Sequence, residues 1–90
     1  MATTHSISGS ITATGTTDAT DRVVKADIVL DSFGSATIAL EAQMPNGTWT
    51  SVEDYTSDTN KVWDSAVGAP LRLNCTSYTS GTINYWINGK

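Results

Sequence analysis

The sequence predicts an all-β fold, and more specifically a single jelly-roll-like β-sandwich of about seven strands. Apolar and polar residues alternate with a period of two along most of the chain, which is typical of strands with one face in a core and one in water. Turn-forming residues recur roughly every eight to twelve residues. The chain also holds fifteen Thr and ten Ser, and β-branched Thr is favoured in strands.

The alternating segments define the predicted strands in order: residues 7–13, 24–30, 36–44, 48–55, 61–64, 71–76 and 83–87. No window shows the i, i+3, i+4, i+7 apolar stripe of an amphipathic helix.

Glycine, asparagine and aspartate separate these strands. Residues 31–34 and 80–81 predict turns, and Asn46-Gly47 predicts a type I′ hairpin turn, in which both central residues need positive φ. Residues 15–21 are uniformly polar and predict a mobile loop.

The length predicts one domain covering residues 1–90, with residues 1–5 as a flexible N-terminal arm. A chain this short buries only about 60–65% of its unfolded surface, so domains of this size are often stabilised by a disulfide, a metal or a partner. A single cysteine, Cys75, cannot form an internal disulfide, and with the single His5 it cannot complete a structural zinc site. We therefore expect oligomerisation or docking on a larger assembly to supply stability.

The charge balance argues against two classes of partner. The net charge is −4, and the five Lys and Arg are spread along the chain, whereas nucleic-acid binding needs a clustered basic patch. No apolar run approaches the length of a membrane span. The N-terminus lacks the features of a secretory signal. We expect synthesis in a cytoplasm, with no nucleic-acid or membrane partner.

The sequence predicts neither an enzyme nor a cofactor or metal site. One His, one Cys and no Gly-x-Ser-x-Gly motif leave nucleophilic catalysis without its components. Cys75 lies at the same alternate positions of its strand as Leu71 and Leu73, so we expect its side chain to face the core as a small apolar group. The pairs Asp18/Asp21 and Asp54/Asp58 could serve glycoside hydrolysis or calcium binding, but their spacing favours turn residues.

The aromatic residues give the main indication of binding. Tyr85 shares parity with neighbouring isoleucines, so Trp86 should point outward, while Trp49 should share a face with Tyr55. An outward tryptophan indicates a sugar platform, a protein interface or packing beneath a loop. The predicted interface residues are Trp49, Trp63 and Trp86.

Residues 35–89 resemble small virion proteins of tailed bacteriophages. The resemblance lies in Gly47-Thr48-Trp49 and in the segment 71–83, where an Arg-Leu strand leads into Tyr78-Thr79-Ser80-Gly81-Thr82. It implies a β-sandwich, often jelly-roll-like, that decorates the capsid as a cement protein, commonly as a trimer.

The leading hypothesis is therefore a capsid decoration protein on the virion surface, made in the host cytoplasm. Its partners would be the major capsid protein and two further copies of itself. The alternatives are a tail, neck or fibre component of the virion, or a carbohydrate-binding adhesion module.

Overall fold

A computed structural model describes residues 5–90, in which six strands form one antiparallel sheet and no residue is helical. The strands are β1 (Ser6–Ile11), β2 (Gly15–Thr16), β3 (Val23–Gln43), β4 (Trp49–Tyr55), β5 (Thr59–Ala69) and β6 (Leu71–Gly89). The all-β class is confirmed, with six strands where the sequence predicted about seven. Apart from His5, the N-terminal arm predicted for residues 1–5 lies outside the described residues.

The strand count differs because β3 and β6 each join two predicted strands, which reduces seven to five, and because β2 adds a strand that the sequence did not predict. The predicted turns at 31–34 and 80–81 do not reverse the chain. Instead β3 and β6 run antiparallel through them, with register shifts around the Phe33–Gly81 pair. The two backbones approach closely there, since a Cβ on Gly34 would lie 2.4 Å from the Ser80 carbonyl oxygen. These residues therefore bend two long paired strands.

The bend divides the sheet into two halves. The β1/β5 half has the order β5, residues 23–31 of β3, residues 83–89 of β6, then β1. The β2/β4 half has the order β4, residues 36–43 of β3, residues 71–78 of β6, then β2. Strands β4 and β5 each pair only with β3, so each exposes one unpaired edge.

Both halves contribute to a single hydrophobic core. Its fully buried larger side chains are Ile28, Leu30, Ile38, Leu40, Leu71, Leu73, Ile83, Ile87, Val23 and Cys75. They come mainly from alternate positions of β3 and β6. The period-two pattern of the sequence is thus the inward face of the sheet, and Cys75 is the core residue that it predicted.

Residues 15–21, predicted as a mobile loop, begin with a short strand: Gly15–Thr16 form β2, and residues 17–21 have no regular secondary structure. This segment contains β2 and continues along β6, where the amide of Thr17 donates to the Leu73 carbonyl at 2.9 Å and that of Thr20 to the Leu71 carbonyl at 2.8 Å. The buried Thr20 hydroxyl accepts a hydrogen bond from the Leu71 amide at 3.0 Å. Backbone hydrogen bonds to β6 and the buried Thr20 hydroxyl therefore fix the position of a segment whose polar composition predicts a loop.

The hairpin between β3 and β4 is a three-residue loop, so the type I′ prediction is wrong. The Gly47 amide donates to the Met44 carbonyl at 2.8 Å, and the Met44 amide donates to the Thr48 carbonyl at 2.7 Å. Gly47 has a φ of 89°, whereas Asn46 has no positive φ. This is the pattern of a type I turn followed by a left-handed residue, for which Pro45 supplies a suitable second position.

Candidate functional site

The three tryptophans predicted as interface residues lie on three separate surfaces. Trp49 pairs with Gln43 on the outer face of the β2/β4 half, and Trp86 lies on the outer face of the β1/β5 half. Trp63 pairs with Ala26 and packs against the core at the β5 edge. The structure does not bring these residues into one site.

Trp49 is part of a compact polar network. The Arg72 guanidinium lies over its ring, 4.1 Å from the centroid. Arg72 Nε donates to Glu41 Oε1 at 2.7 Å, and Asn74 Nδ2 donates to Glu41 Oε2 at 3.1 Å. A ring already covered by a cation is less available to a ligand, so we assign this network to the stability of the outer face.

A β-bulge in β4 overturns the prediction that Trp49 and Tyr55 share a face. Leu40 pairs with Glu53, but the next residue, Glu41, pairs with Ser51, so Val52 has no partner. The extra residue reverses the alternation: Trp49 points outward, Tyr55 points into the core, and Val52 is 48% exposed.

A groove runs between the β4 and β5 edges. Its two hollows, of about 390 and 230 Å³, share Val52 and Trp63 in their lining. Most of the exposed large apolar side chains in the described chain also line it, namely Met44, Val52, Val62 and Val67. We call this surface the β4–β5 groove.

The segment of β5 that borders the groove is distorted. Ser65 to Gly68 bulge away from β3, because Val23 pairs with Ala69 while Lys25 already pairs with Asp64. The Arg22 guanidinium donates to the carbonyls of Val67 and Gly68 at 3.2 and 3.1 Å. In this bulged conformation the Val67 side chain points into solvent, and the residue is 75% exposed.

Tyr55 lines the inner wall of the groove. Its ring is buried, and its hydroxyl has no hydrogen-bond partner within normal distance and angle limits among the described residues, although the Glu53 carboxylate interacts with it. Burial, with a smaller contribution from the nearby Glu53 carboxylate, raises the pKa of Tyr55 well above its usual value of about 10.

The groove residues were missed by the sequence analysis, except for Trp63. Val52 and Val67 can be recognised as exposed only when the two bulges are known. The sequence signal that could have found them is the break in alternation at Val62-Trp63 and at Val67, where apolar residues occupy both odd and even positions.

Two other residues considered in the sequence, Cys75 and Asp58, contribute to the fold. Burial raises the pKa of the Cys75 thiol, and a buried, protonated thiol is a poor nucleophile. Asp58 Oδ1 accepts a hydrogen bond from the Phe33 amide at 2.9 Å, which ties the β4–β5 connection to the bend in β3.

No grouping of three His, Cys, Asp or Glu suited to a metal ion occurs among residues 5–90. The same residues form no helix able to cross a membrane. A further hollow of about 370 Å³ beside residues 12–18 and Tyr85 contains no exposed large apolar side chain.

Comparison with protein-family models, curated proteins and solved structures found no match.

Proposed function

We propose that this chain is a structural protein of a tailed-bacteriophage virion, which binds and stabilises the shell of major capsid protein as a cement or decoration protein. The observation that supports a binding role is the concentration of exposed apolar side chains in the β4–β5 groove. Contiguous exposed apolar surface is typical of interaction sites. The choice of the capsid as the binding partner rests on the resemblance of residues 35–89 to phage virion proteins, and it is therefore an analogy.

The proposed occupant of the groove is an extended segment of the major capsid protein. The outer edges of β4 and β5 have no neighbouring strand among the described residues, although the Val67 and Gly68 carbonyls accept hydrogen bonds from Arg22. Unpaired edges of this kind accept an added strand. Trp63 would supply an aromatic anchor on the wall of the groove. The net charge of −4 favours a neutral or basic segment over an acidic one.

In this proposal the protein is a non-catalytic homotrimer on the capsid surface after synthesis in the host cytoplasm. A trimer would supply the stabilisation that a ninety-residue chain without a disulfide otherwise lacks. We further propose that the bent sheet is a jelly-roll-like β-sandwich, because its two halves share one core. Packing of the two halves face to face as layers about 10 Å apart would establish that class.

The test uses undecorated heads assembled from the major capsid protein of the same genome. Purified protein is added, and both its copy number per particle and the disruption temperature of the particle are measured. Saturation at many equivalent sites with a rise in disruption temperature supports cementing, because a ligand that binds only the assembled form stabilises it.

A pair of valine variants tests the groove. Val52→Asp places a charge in the groove, whereas Val24→Asp places one at a similarly exposed position outside it; the exposed fractions are 48% and 45%. We expect Val52→Asp to lose capsid binding and Val24→Asp to retain it. Equal binding by both variants would show that the groove is not the interface.

Other locations would give different results. Binding at a single vertex would assign the protein to the neck or tail, and binding to isolated tails or fibres alone would assign it there. No binding to any virion part would overturn the proposal.

A further inference from the structure

Trp86 occupies the centre of the outer face of the β1/β5 half. It lies opposite Ser8 on β1 and Val29 on β3, and the residue is 40% exposed. No ring contact, cation or hydrogen bond to another described residue engages its indole, whereas Arg72 covers Trp49 and the core covers one side of Trp63. Trp86 is the most exposed of the three tryptophans, and no other described residue covers its ring.

Hydrogen-bonding side chains surround this ring. Asn84 and Asn88 lie two residues away on β6, on the same face because strand side chains alternate. Their partners on β3 are Asp31 and Asp27, respectively. Such diagonal neighbours lie about 7–8 Å from the central residue, which is a distance that one sugar ring and its hydroxyls can bridge.

The polar groups have free hydrogen-bonding capacity. Ser10 Oγ donates to Asn84 Oδ1 at 2.9 Å, which leaves the amide hydrogens of Asn84 for a ligand. No side-chain hydrogen bond or ion pair to another described residue engages Asp27, Asp31 or Asn88. An exposed ring with unoccupied donors and acceptors on both sides forms an amphipathic site.

We infer that this face binds a neutral polysaccharide, with one hexose ring stacked on Trp86. The C–H face of a hexose matches the apolar indole ring. Its hydroxyls can donate to the carboxylates of Asp27 and Asp31 and accept from the asparagine amides. Asp27 and Asp31 are the charged groups at the positions flanking Trp86, whereas Lys25 and Lys90 line the hollow beyond Asp27 and Asn88. The two carboxylates beside the ring favour an uncharged sugar over a sulfated or uronic one at the Trp86 position.

This inference does not depend on the proposed capsid role, because Trp86 lies outside the β4–β5 groove. Capsid binding and glycan binding can therefore fail separately. A Trp86→Ala variant should decorate capsids as the parent does while losing the glycan.

The test is a calorimetric titration of the full chain with hexasaccharides of glucose, mannose and galactose, and with heparin as the polyanionic comparison. We expect at least one neutral hexasaccharide to bind and Trp86→Ala to weaken it about tenfold or more. Trp86→Phe should retain part of the affinity, because it keeps an aromatic ring. Asp31→Asn should weaken binding less than Trp86→Ala.

Trp49→Phe is the matched control, since its indole is already covered by Arg72, and it should bind like the parent. Circular dichroism of each variant checks that it is folded. The inference is overturned if no neutral hexasaccharide binds, if heparin binds more tightly than all of them, or if Trp86→Ala binds as the parent does.

Discussion

Glu41 and Glu53 lie on neighbouring strands and each pairs with a cation, but their surroundings differ. Glu41 is mostly buried, receives Arg72 Nε at 2.7 Å and also accepts from Asn74. Glu53 meets Lys61 Nζ at 3.3 Å with about half of each side chain in water. Exposed pairs contribute little, whereas a partly buried carboxylate that loses its partner is costly.

We predict that Arg72→Ala lowers the free energy of unfolding by about 1–3 kcal/mol, because it leaves Glu41 under-partnered and uncovers the ring of Trp49. The matched control, Lys61→Ala, should cost less than about 1 kcal/mol. Urea denaturation of the two variants measures the difference. Equal costs would show that the Arg72 network contributes no more than a surface pair.

Tyr55 gives a prediction at alkaline pH. Its pKa is raised in the folded state, so its contribution to stability is fully present below the unfolded pKa of about 10 and is lost as pH rises towards the folded value. Tyr55→Phe removes both this ionisation and an unpartnered buried hydroxyl. We expect the variant to be as stable as the parent or up to about 1 kcal/mol more stable at pH 7.

Thermal unfolding of parent and Tyr55→Phe between pH 7 and 11 measures this effect. The parent should lose stability above pH 10 more steeply than the variant. Parallel pH profiles would mean that the hydroxyl is not buried in solution.

At the scale of elements, a bend and a bulge determine how long the strands are and which way their side chains point. The β3–β6 bend joins four predicted strands into two, and the bulge at Val52 turns Trp49 outward and Tyr55 inward. Both features are local irregularities of a regular ladder, and both depend on which strand lies opposite.

We predict that Gly34→Ala destabilises the protein by about 1–3 kcal/mol, as for an overpacked site. The added Cβ would meet the backbone of Ser80, which cannot move aside as a flexible side chain could. Ser35→Ala, at the adjacent exposed position, is the control and should be near neutral. Chemical denaturation compares them, and a stable Gly34→Ala variant would contradict the close approach of β3 and β6.

The β3–β4 hairpin depends on Gly47 for a different reason. Its φ is 89° and the space around it is open, so a substitution there meets backbone strain and no steric clash. Gly47→Val should cost about 1–3 kcal/mol, while Gly47→Asn should cost less because Asn tolerates the left-handed region. A melting temperature for Gly47→Asn that is equal to or lower than that for Gly47→Val would contradict this turn conformation.

At the scale of the whole molecule, the sheet surrounds a small core, and the described strands β1, β2, β4 and β5 each pair on one side only. The single cysteine is buried as a free thiol. Small domains are commonly stabilised by a disulfide, a metal or association with a partner, and the trimer proposed above is of the third kind.

On the proposed assembly, we predict a sedimenting mass of three times the 9.5 kDa chain at micromolar concentration. Its melting temperature should rise with protein concentration, because association stabilises the folded form by mass action. A monomer whose melting temperature is independent of concentration would contradict the trimer and leave capsid docking to be tested alone.

The sequence by itself determined the all-β class, most of the core and the outward direction of Trp86. Each follows from alternation, which is a property of a few consecutive residues and holds whatever strand lies opposite. The inward positions of β6 and most of those of β3 could therefore be read directly, as could Cys75 and Tyr85. Val24 is the exception in β3: alternation predicted it inward, but it is 45% exposed and Val23 is buried instead, because the register shifts between Val23 and Lys25.

Only the tertiary structure decided where strands bend, which residues bulge and which edges stay open. Residues 31–34 have the composition of a turn, but the chain continues because β6 pairs with β3 on both sides of the bend and at Phe33 within it. Residues 15–21 have the composition of a loop, but β6 supplies their hydrogen-bond partners. The β4–β5 groove lies between two strands that pair with different stretches of β3, on either side of its bend. These features depend on contacts between residues distant in the chain, and no local pattern records which distant strand will supply the partner.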